Sequence, residues 1–180
     1  MKALFIVDVQ NDFLPGGALA VPRGDEVIAP INALMDRFEV IWASKDWHPR
    51  RTTHFDRWPV HCVRGTEGAR FPQALNAARI QRVFLKGTST DDDGYSAFEA
   101  TNADLEHLLR HHGITDLYVT GLATDYCVRA TARDAARLGF AAYVVKEAVR
   151  AVNLAPDDEQ KAFHDMQQAG VRIISIHEIS

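Results

Sequence analysis

The sequence predicts an α/β fold: a three-layer, doubly wound sheet of six mainly parallel strands in the order 3-2-1-4-5-6, with helices on both faces. Three observations carry this. Six short apolar runs alternate with longer segments of helical periodicity, the pattern that builds parallel sheets through crossover helices. Several of the runs show no polar alternation, as expected of strands covered on both faces. Right-handed crossovers then narrow the topologies to a few. The order chosen sets strand 1 beside strand 4, with a crevice outside their carboxyl ends. The 180 residues suit one domain spanning 1–180, and no repeat, low-complexity tract or Gly-, Ser- or Pro-rich linker divides them.

Taken in order, strand 1 is the run Ala3–Val9. Asp25–Phe38 follows as a helix, with Val27, Ile28, Ile31, Leu34, Met35 and Phe38 forming an apolar stripe. Strand 2 is Val40–Ser44. The segment from Asp46 to about Phe71 is irregular, and a segment that long inside a compact domain is usually functional. Strand 3 is Val83–Lys86. A helix over Thr101–His112 carries Leu105, Leu108 and Leu109 and stops at Gly113. Strand 4 is Leu117–Gly121, followed by a helix over Thr124–Leu138 that stops at Gly139. Strand 5 is Phe140–Val145, the last helix is Pro156–Ala169 before Gly170, and strand 6 is Val171–Ile176.

A net charge of −4, from 24 acidic and 20 basic residues, offers no electrostatic footprint for nucleic acid or an anionic membrane. No apolar run approaches the ~18 residues of a spanning helix. The apolar stretch at the start of the chain is short and closed by Asp8, which fits a buried first strand better than a signal peptide. Two cysteines without an export signal suggest reduced thiols in a cytoplasm.

The chemistry collects at the carboxyl ends of the first four strands. Asp8 follows strand 1, Asp46 and His48 follow strand 2, Lys86 closes strand 3, and Cys127 lies just past strand 4. A carboxylate after an apolar run is partly buried and needs a partner. Asp8 could be a structural carboxylate and Lys86 a snorkelling lysine, yet each supplies the charge the other lacks. Thr124 reads as an N-cap that puts Cys127 in the first helical turn. There the helix dipole favours a thiolate, and the turn's amides could hold an oxyanion. The plainer reading is a small buried cysteine, and Cys62 is read in that structural way. In the irregular segment Asp46, His48, His54 and His61 gather three histidines near an acid, with Asp46 and His48 at i and i+2 pointing the same way. Such a set suits one divalent metal ion such as zinc, iron or manganese. His107, His111, His112, His164 and His177 receive no role.

Taken together, these blocks resemble the nicotinamidases (pyrazinamidases) of the isochorismatase-like cysteine hydrolases. The resemblance runs through Val7-Asp8-Val9-Gln10-Asn11-Asp12-Phe13, Lys45-Asp46-Trp47-His48-Pro49, Trp58-Pro59-Val60-His61-Cys62-Val63, Phe84-Leu85-Lys86-Gly87, Tyr95-Ser96-Ala97-Phe98 and Gly121-Leu122-Ala123-Thr124-Asp125-Tyr126-Cys127-Val128. The blocks are collinear, running from Val7 to Val128. The resemblance implies conversion of nicotinamide to nicotinate and ammonia through a cysteine thioester, with pyrazinamide as a further substrate. It implies a triad of Asp8, Lys86 and Cys127. It implies metal ligands Asp46, His48 and His61, with His54 standing where some relatives carry a fourth ligand and others a serine. It implies an oxyanion hole from the amides of Ala123 and Cys127, beside a cis peptide linking Leu122 and Ala123. It implies a ring pocket lined by Phe13, Trp58 and Tyr126, with Leu19 as a further wall, and it is compatible with a homo-oligomer. Pro49-Arg50-Arg51-Thr52-Thr53 departs from the Ala-Asn-His stretch of many members, which bears on substrate preference.

Three rivals stand beside this reading. One is a related cysteine hydrolase acting on an N-carbamoyl compound or maleamate. Another is a metallohydrolase in which Cys127 is a spectator. The third is a nucleotide-binding domain, which the absence of a Gly-x-Gly-x-x-Gly turn after strand 1 disfavours.

Overall fold

The computed structural model describes residues 1–179. Its sheet has six parallel strands in the order β3-β2-β1-β4-β5-β6: β1 Lys2–Val7, β2 Val40–Asp46, β3 Arg82–Lys86, β4 Asp116–Leu122, β5 Ala141–Arg150 and β6 Arg172–Ile174. This is the order the sequence predicts. The helices are α1 Ile28–Leu34, α2 His54–Arg57, α3 Leu105–His111, α4 Arg129–Arg137 and α5 Asp158–Gln168. Residues of β1 alternate between two cores. Ala3, Phe5 and Val7 face Leu105 and Leu109 of α3, Ala132 and Ala135 of α4 and Met166 of α5. Leu4 and Ile6 face Ile28, Ile31 and Leu34 of α1. Both sides are buried, which is why the strand sequence shows no polar alternation.

Where elements differ from expectation, local chemistry explains it. The stripe over Asp25–Phe38 is not one helix: 3-10 turns at Gly24–Val27 and Met35–Arg37 flank the seven residues of α1. Pro30, the third residue of α1, has no N–H to donate to the Glu26 carbonyl, so an α-type bond is missing where the helix meets the preceding turn. α3 begins at Leu105, not Thr101, because the Asp104 carboxylate accepts the His107 amide at 2.9 Å and caps it. The segment after β4 is a wide π-turn over Thr124–Val128 before α4 begins. Thr124 is not the cap there; its hydroxyl donates to Glu159 on α5 at 3.1 Å. β5 runs on to Arg150 because a register shift opposite Val119–Gly121 lets Val149 and Arg150 rejoin β4. In that irregular stretch Glu147 accepts from the Ser175 hydroxyl at 2.7 Å and the Ile176 amide at 2.9 Å.

Gly121 shows how closely β1 and β4 meet. Its φ is +105°, and a Cβ would fall 2.1 Å from the Val7 carbonyl oxygen. The core at the β3 side is aromatic: Phe84 lies 5.9 Å from the Phe5 ring and 5.6 Å from Trp42, centroid to centroid. Phe84→Ala should therefore cost about 3–5 kcal/mol, read as a lowered midpoint in urea unfolding.

Candidate functional site

Four neighbouring strands deliver four reactive side chains to one edge of the sheet. β3 ends in Lys86, β2 in Asp46, β1 is followed by Asp8, and the π-turn after β4 carries Cys127. Asp46 and Lys86 are register partners. All four are buried.

Lys86 organises the group. Its ammonium has three N–H bonds. They are directed at Asp46 Oδ1 (2.5 Å), the Gly94 carbonyl (2.7 Å) and Cys127 Sγ (3.4 Å). Asp8 Oδ2 lies 2.7 Å from the same nitrogen and forms a fully buried ion pair with it. The other oxygen, Oδ1, accepts from the Ser44 hydroxyl at 2.8 Å. Asp8 is thus held by Lys86 through one oxygen and by Ser44 through the other. One carboxylate oxygen each from Asp8 and Asp46 and the Cys127 sulfur all lie within 4.8 Å of one another. The backbone at Asp8 is left-handed, with φ +48°, a conformation that Asp tolerates better than most residues.

The electrostatics follow from burial and from Lys86. Burial pushes the Asp8 carboxyl up to about 6, and Asp46 adds to this while Lys86 opposes it. For Asp46, burial also works against the charge, but the Lys86 ammonium, with the adjacent His48 and His61 imidazoles, outweighs it and holds the carboxyl well below its ordinary value. Lys86 is likewise disfavoured by burial, yet Asp46 and Asp8 hold it protonated well above its usual range. The Cys127 thiol is raised well above the ordinary value by burial, which outweighs the lowering effect of Lys86. This corrects the expectation of a resting thiolate. The sequence shows the turn but not how thoroughly the fold removes water from it.

Beside this group lies the histidine cluster. Ring nitrogens of His48, His54 and His61 come within 4.8 Å of one another. In each ring Nδ1 already meets an acceptor: the Gly87 carbonyl (2.9 Å) for His48, Asp92 Oδ1 (2.6 Å) for His54 and the Pro59 carbonyl (2.6 Å) for His61. Those contacts leave Nε2 as the free electron pair, the tautomer a metal requires. His48 Nε2 is buried without a hydrogen-bond partner, and Asp46 Oδ2 lies 3.5 Å from it and 3.7 Å from His61 Nε2. Buried polar atoms rarely stand alone. The residues therefore fit a divalent metal. Gly87 permits this packing: its φ is +61°, and a Cβ would fall 2.5 Å from His48 Cε1.

A cleft of about 460 Å³ joins the thiol to the histidines. Phe13, Leu19, Trp58 and Tyr126 line it as expected, together with His54, His61, Asp46 and Cys127. Ala123 also lines it, and the Leu122–Ala123 peptide is cis. Several contributors escaped the sequence reading. Gln10 accepts the Asp46 amide (2.9 Å) and donates to the Asp46 and Ala69 carbonyls, fixing the end of β2. Val21, Tyr95, Leu122 and Val152 complete the walls. Cys62 is fully buried away from the cleft lining, its thiol raised by burial, in line with a structural role. Both cysteines are free.

A protonated thiol, a buried carboxylate close to it and an aromatic cleft define a site for nucleophilic attack on a small planar substrate. Known proteins narrow that class. The chain belongs to the isochorismatase family, whose domain matches residues 2–178. It is 39% identical to the nicotinamidase of Escherichia coli (strain K12), over 97% of this chain and 95% of that protein. A nicotinamidase/pyrazinamidase structure from Acinetobacter baumanii superposes with a TM-score of 0.93 at 36% identity, covering 99% of this chain and 98% of that one. The pyrazinamidase of Pyrococcus horikoshii in complex with zinc gives a TM-score of 0.85 at 40% identity, covering 97% and 98%.

If Asp8 serves as a base it must be ionised, so kcat/KM should fall as pH drops through about 6. Ser44→Ala removes a hydrogen bond that favours the carboxylate, and the acid limb of the pH–rate profile should move to higher pH. An unmoved limb would separate Asp8 from the titration.

Proposed function

We propose that this chain is a nicotinamidase, hydrolysing nicotinamide to nicotinate and ammonia, with Cys127 as nucleophile, Asp8 as proton carrier and Lys86 as their electrostatic anchor. One observation carries the reading. A carboxylate oxygen of the buried Asp8 lies within 4.8 Å of the Cys127 sulfur, and the aromatic cleft that Cys127 lines is also lined by the imidazoles of His54 and His61. A planar ring with a nitrogen on one edge and a carboxamide on another matches that layout. Nicotinamidase and pyrazinamidase relatives that span the whole chain support the substrate class.

In the first half-reaction Asp8 Oδ2 takes the proton of Cys127 Sγ as the sulfur bonds to the amide carbon. Lys86 Nζ, donating to Sγ, steadies the charge that forms there. The amides of Ala123 and Cys127 receive the developing oxyanion; such a donor is worth roughly 3–4 kcal/mol in other enzymes. Asp8 then passes its proton to the departing nitrogen, the C–N bond breaks, and ammonia leaves a thioester on Cys127. In the second half-reaction Asp8 takes a proton from water as the hydroxyl bonds to the carbonyl carbon; the C–S bond then breaks, Asp8 returns the proton to Sγ to restore the thiol, and the nicotinic acid released ionises to nicotinate. Asp46, His48, His61 and His54 would hold a divalent metal, zinc foremost, which supplies a Lewis-acid anchor for the ring nitrogen. Phe13, Leu19, Trp58 and Tyr126 clasp the ring faces, so the carboxamide is presented to Sγ by positioning. The whole chain acts as one domain. Free thiols fit a reducing cytoplasm, and among the described residues no helix is long and apolar enough to cross a membrane.

Ammonia release from nicotinamide should be abolished in Cys127→Ala and lowered by about 100- to 10,000-fold in Asp8→Asn, both in folded protein. Iodoacetamide should place one adduct, on Cys127, and nicotinate should slow it; an alkylated protein that keeps its turnover would make Cys127 a spectator. Removal of metal by a chelator should raise KM for nicotinamide, with zinc restoring it, while Cys127 stays reactive to iodoacetamide.

A further inference from the structure

Asp92 belongs to none of the groups described so far, yet it stands between two of them. Its Oδ1 meets His54 Nδ1 at 2.6 Å and accepts from the Tyr95 hydroxyl at 3.0 Å. The Tyr95 oxygen in turn accepts from Trp58 Nε1 at 3.0 Å. Trp58 then meets Tyr126 edge-on, with centroids 5.0 Å apart. Trp58, Tyr95 and Tyr126 all line the cleft, as does His54. The loop that carries Asp92 is tied to the segment before His54, because Thr53 donates to the Thr90 carbonyl through both its amide (2.9 Å) and its hydroxyl (3.3 Å). A continuous chain of hydrogen bonds therefore runs from one of the clustered imidazoles to the indole on the cleft wall, and it passes through one carboxylate oxygen.

We propose that Asp92 is a positioning residue that couples metal binding at His54 to the shape of the aromatic cleft, so that the filled metal site tightens the cleft on any flat ring, including one with no nitrogen to coordinate. The proposal rests on the reading of His54 as a ligand. A carboxylate at Nδ1 fixes the imidazole's tautomer and orientation and makes it a better donor. Because the same oxygen holds Tyr95, an imidazole drawn toward a metal moves or stiffens the acceptor on which Tyr95 and Trp58 depend. An aromatic wall held in place ahead of binding loses less freedom when a ring enters. Benzamide isolates this effect from direct coordination, since it has the ring and the carboxamide but no pyridine nitrogen.

The experiment measures zinc affinity and benzamide affinity, with and without zinc, in the wild-type chain, Asp92→Ala, Asp92→Asn and Tyr95→Phe. In the wild type, zinc should strengthen benzamide binding several-fold. Asp92→Ala should bind zinc roughly 10- to 100-fold more weakly and lose the zinc effect on benzamide even at saturating zinc. Asp92→Asn, which keeps an acceptor for His54 and Tyr95, should recover most of both. Tyr95→Phe should keep the zinc affinity but lose the benzamide effect, because it cuts the chain beyond Asp92. With nicotinamide, Asp92→Ala should raise KM by a larger factor than it lowers kcat. A wild-type protein whose benzamide affinity ignores zinc, or an Asp92→Ala protein that matches wild type in both measurements, overturns the coupling while leaving the nicotinamidase reading intact. A wild-type protein that binds no zinc also overturns the coupling, while ammonia release from nicotinamide decides the nicotinamidase reading separately.

Discussion

A buried ammonium between two buried carboxylates is the constraint on which this structure turns. Lys86, Asp8 and Asp46 are withdrawn from water at the edge of the sheet, and none of the three charges could stand there alone. Desolvating an ion costs several kcal/mol, which only close partners and hydrogen bonds can offset. The parallel register meets this demand by ending β2 and β3 on Asp46 and Lys86 as partners and by placing β1, with Asp8, on the other side of β2. The order of strands is thus also an order of charges. It leaves Lys86 one N–H for the sulfur and keeps Asp8 paired to the same ammonium. Removing any one member would strand the others.

The same carboxylate of Asp46 joins this group to the imidazoles. Oδ1 accepts from Lys86, and Oδ2 faces His48 and His61. Its low proton affinity keeps it available as an anion to whatever cation the imidazoles hold. Two functions proposed for the site, bond cleavage and ring anchoring, thereby share one rigid strand end that Gln10 pins from the loop after β1. A planar substrate held between them meets a fixed distance, not an adjustable one, and the cleft's aromatic walls leave it little room to turn.

Much of this was legible in the sequence because it is written in residue types at strand ends. Unalternating apolar runs gave the parallel sheet, and Asp8, Asp46, Lys86 and Cys127 each stand just where a run stops. What escaped is what residue type does not encode. Ser44 holds Asp8 from 36 residues away, and a serine in an apolar strand carries only the weak signal of a polar group that must find a partner. Gly94 acts through its carbonyl alone, which every residue possesses. Asp92 joins His54 and Tyr95, which lie in two different segments, through a single oxygen. The wide turn at Thr124–Val128 was hidden because its sequence suits an ordinary capped helix; the Thr124 hydroxyl instead serves Glu159.

The protonation of Cys127 was the most instructive difference, and it bears on mechanism. A helix start in water would favour the thiolate, but burial reverses that preference. For an amide substrate the protonated form has an advantage. The leaving group is a nitrogen that departs only once protonated, so a proton must be at hand when the C–N bond breaks. A thiol that had already lost its proton to bulk water would leave the site without one. Here the proton would pass from sulfur to the Asp8 carboxylate, whose affinity for it is raised by the same burial, and from there to the nitrogen. Lys86 could supply electrostatic support but not the proton itself, since Asp46 and Asp8 hold it firmly in the charged form. The burial that makes Cys127 a poor anion at rest is therefore what would keep its proton inside the site for the step that needs it.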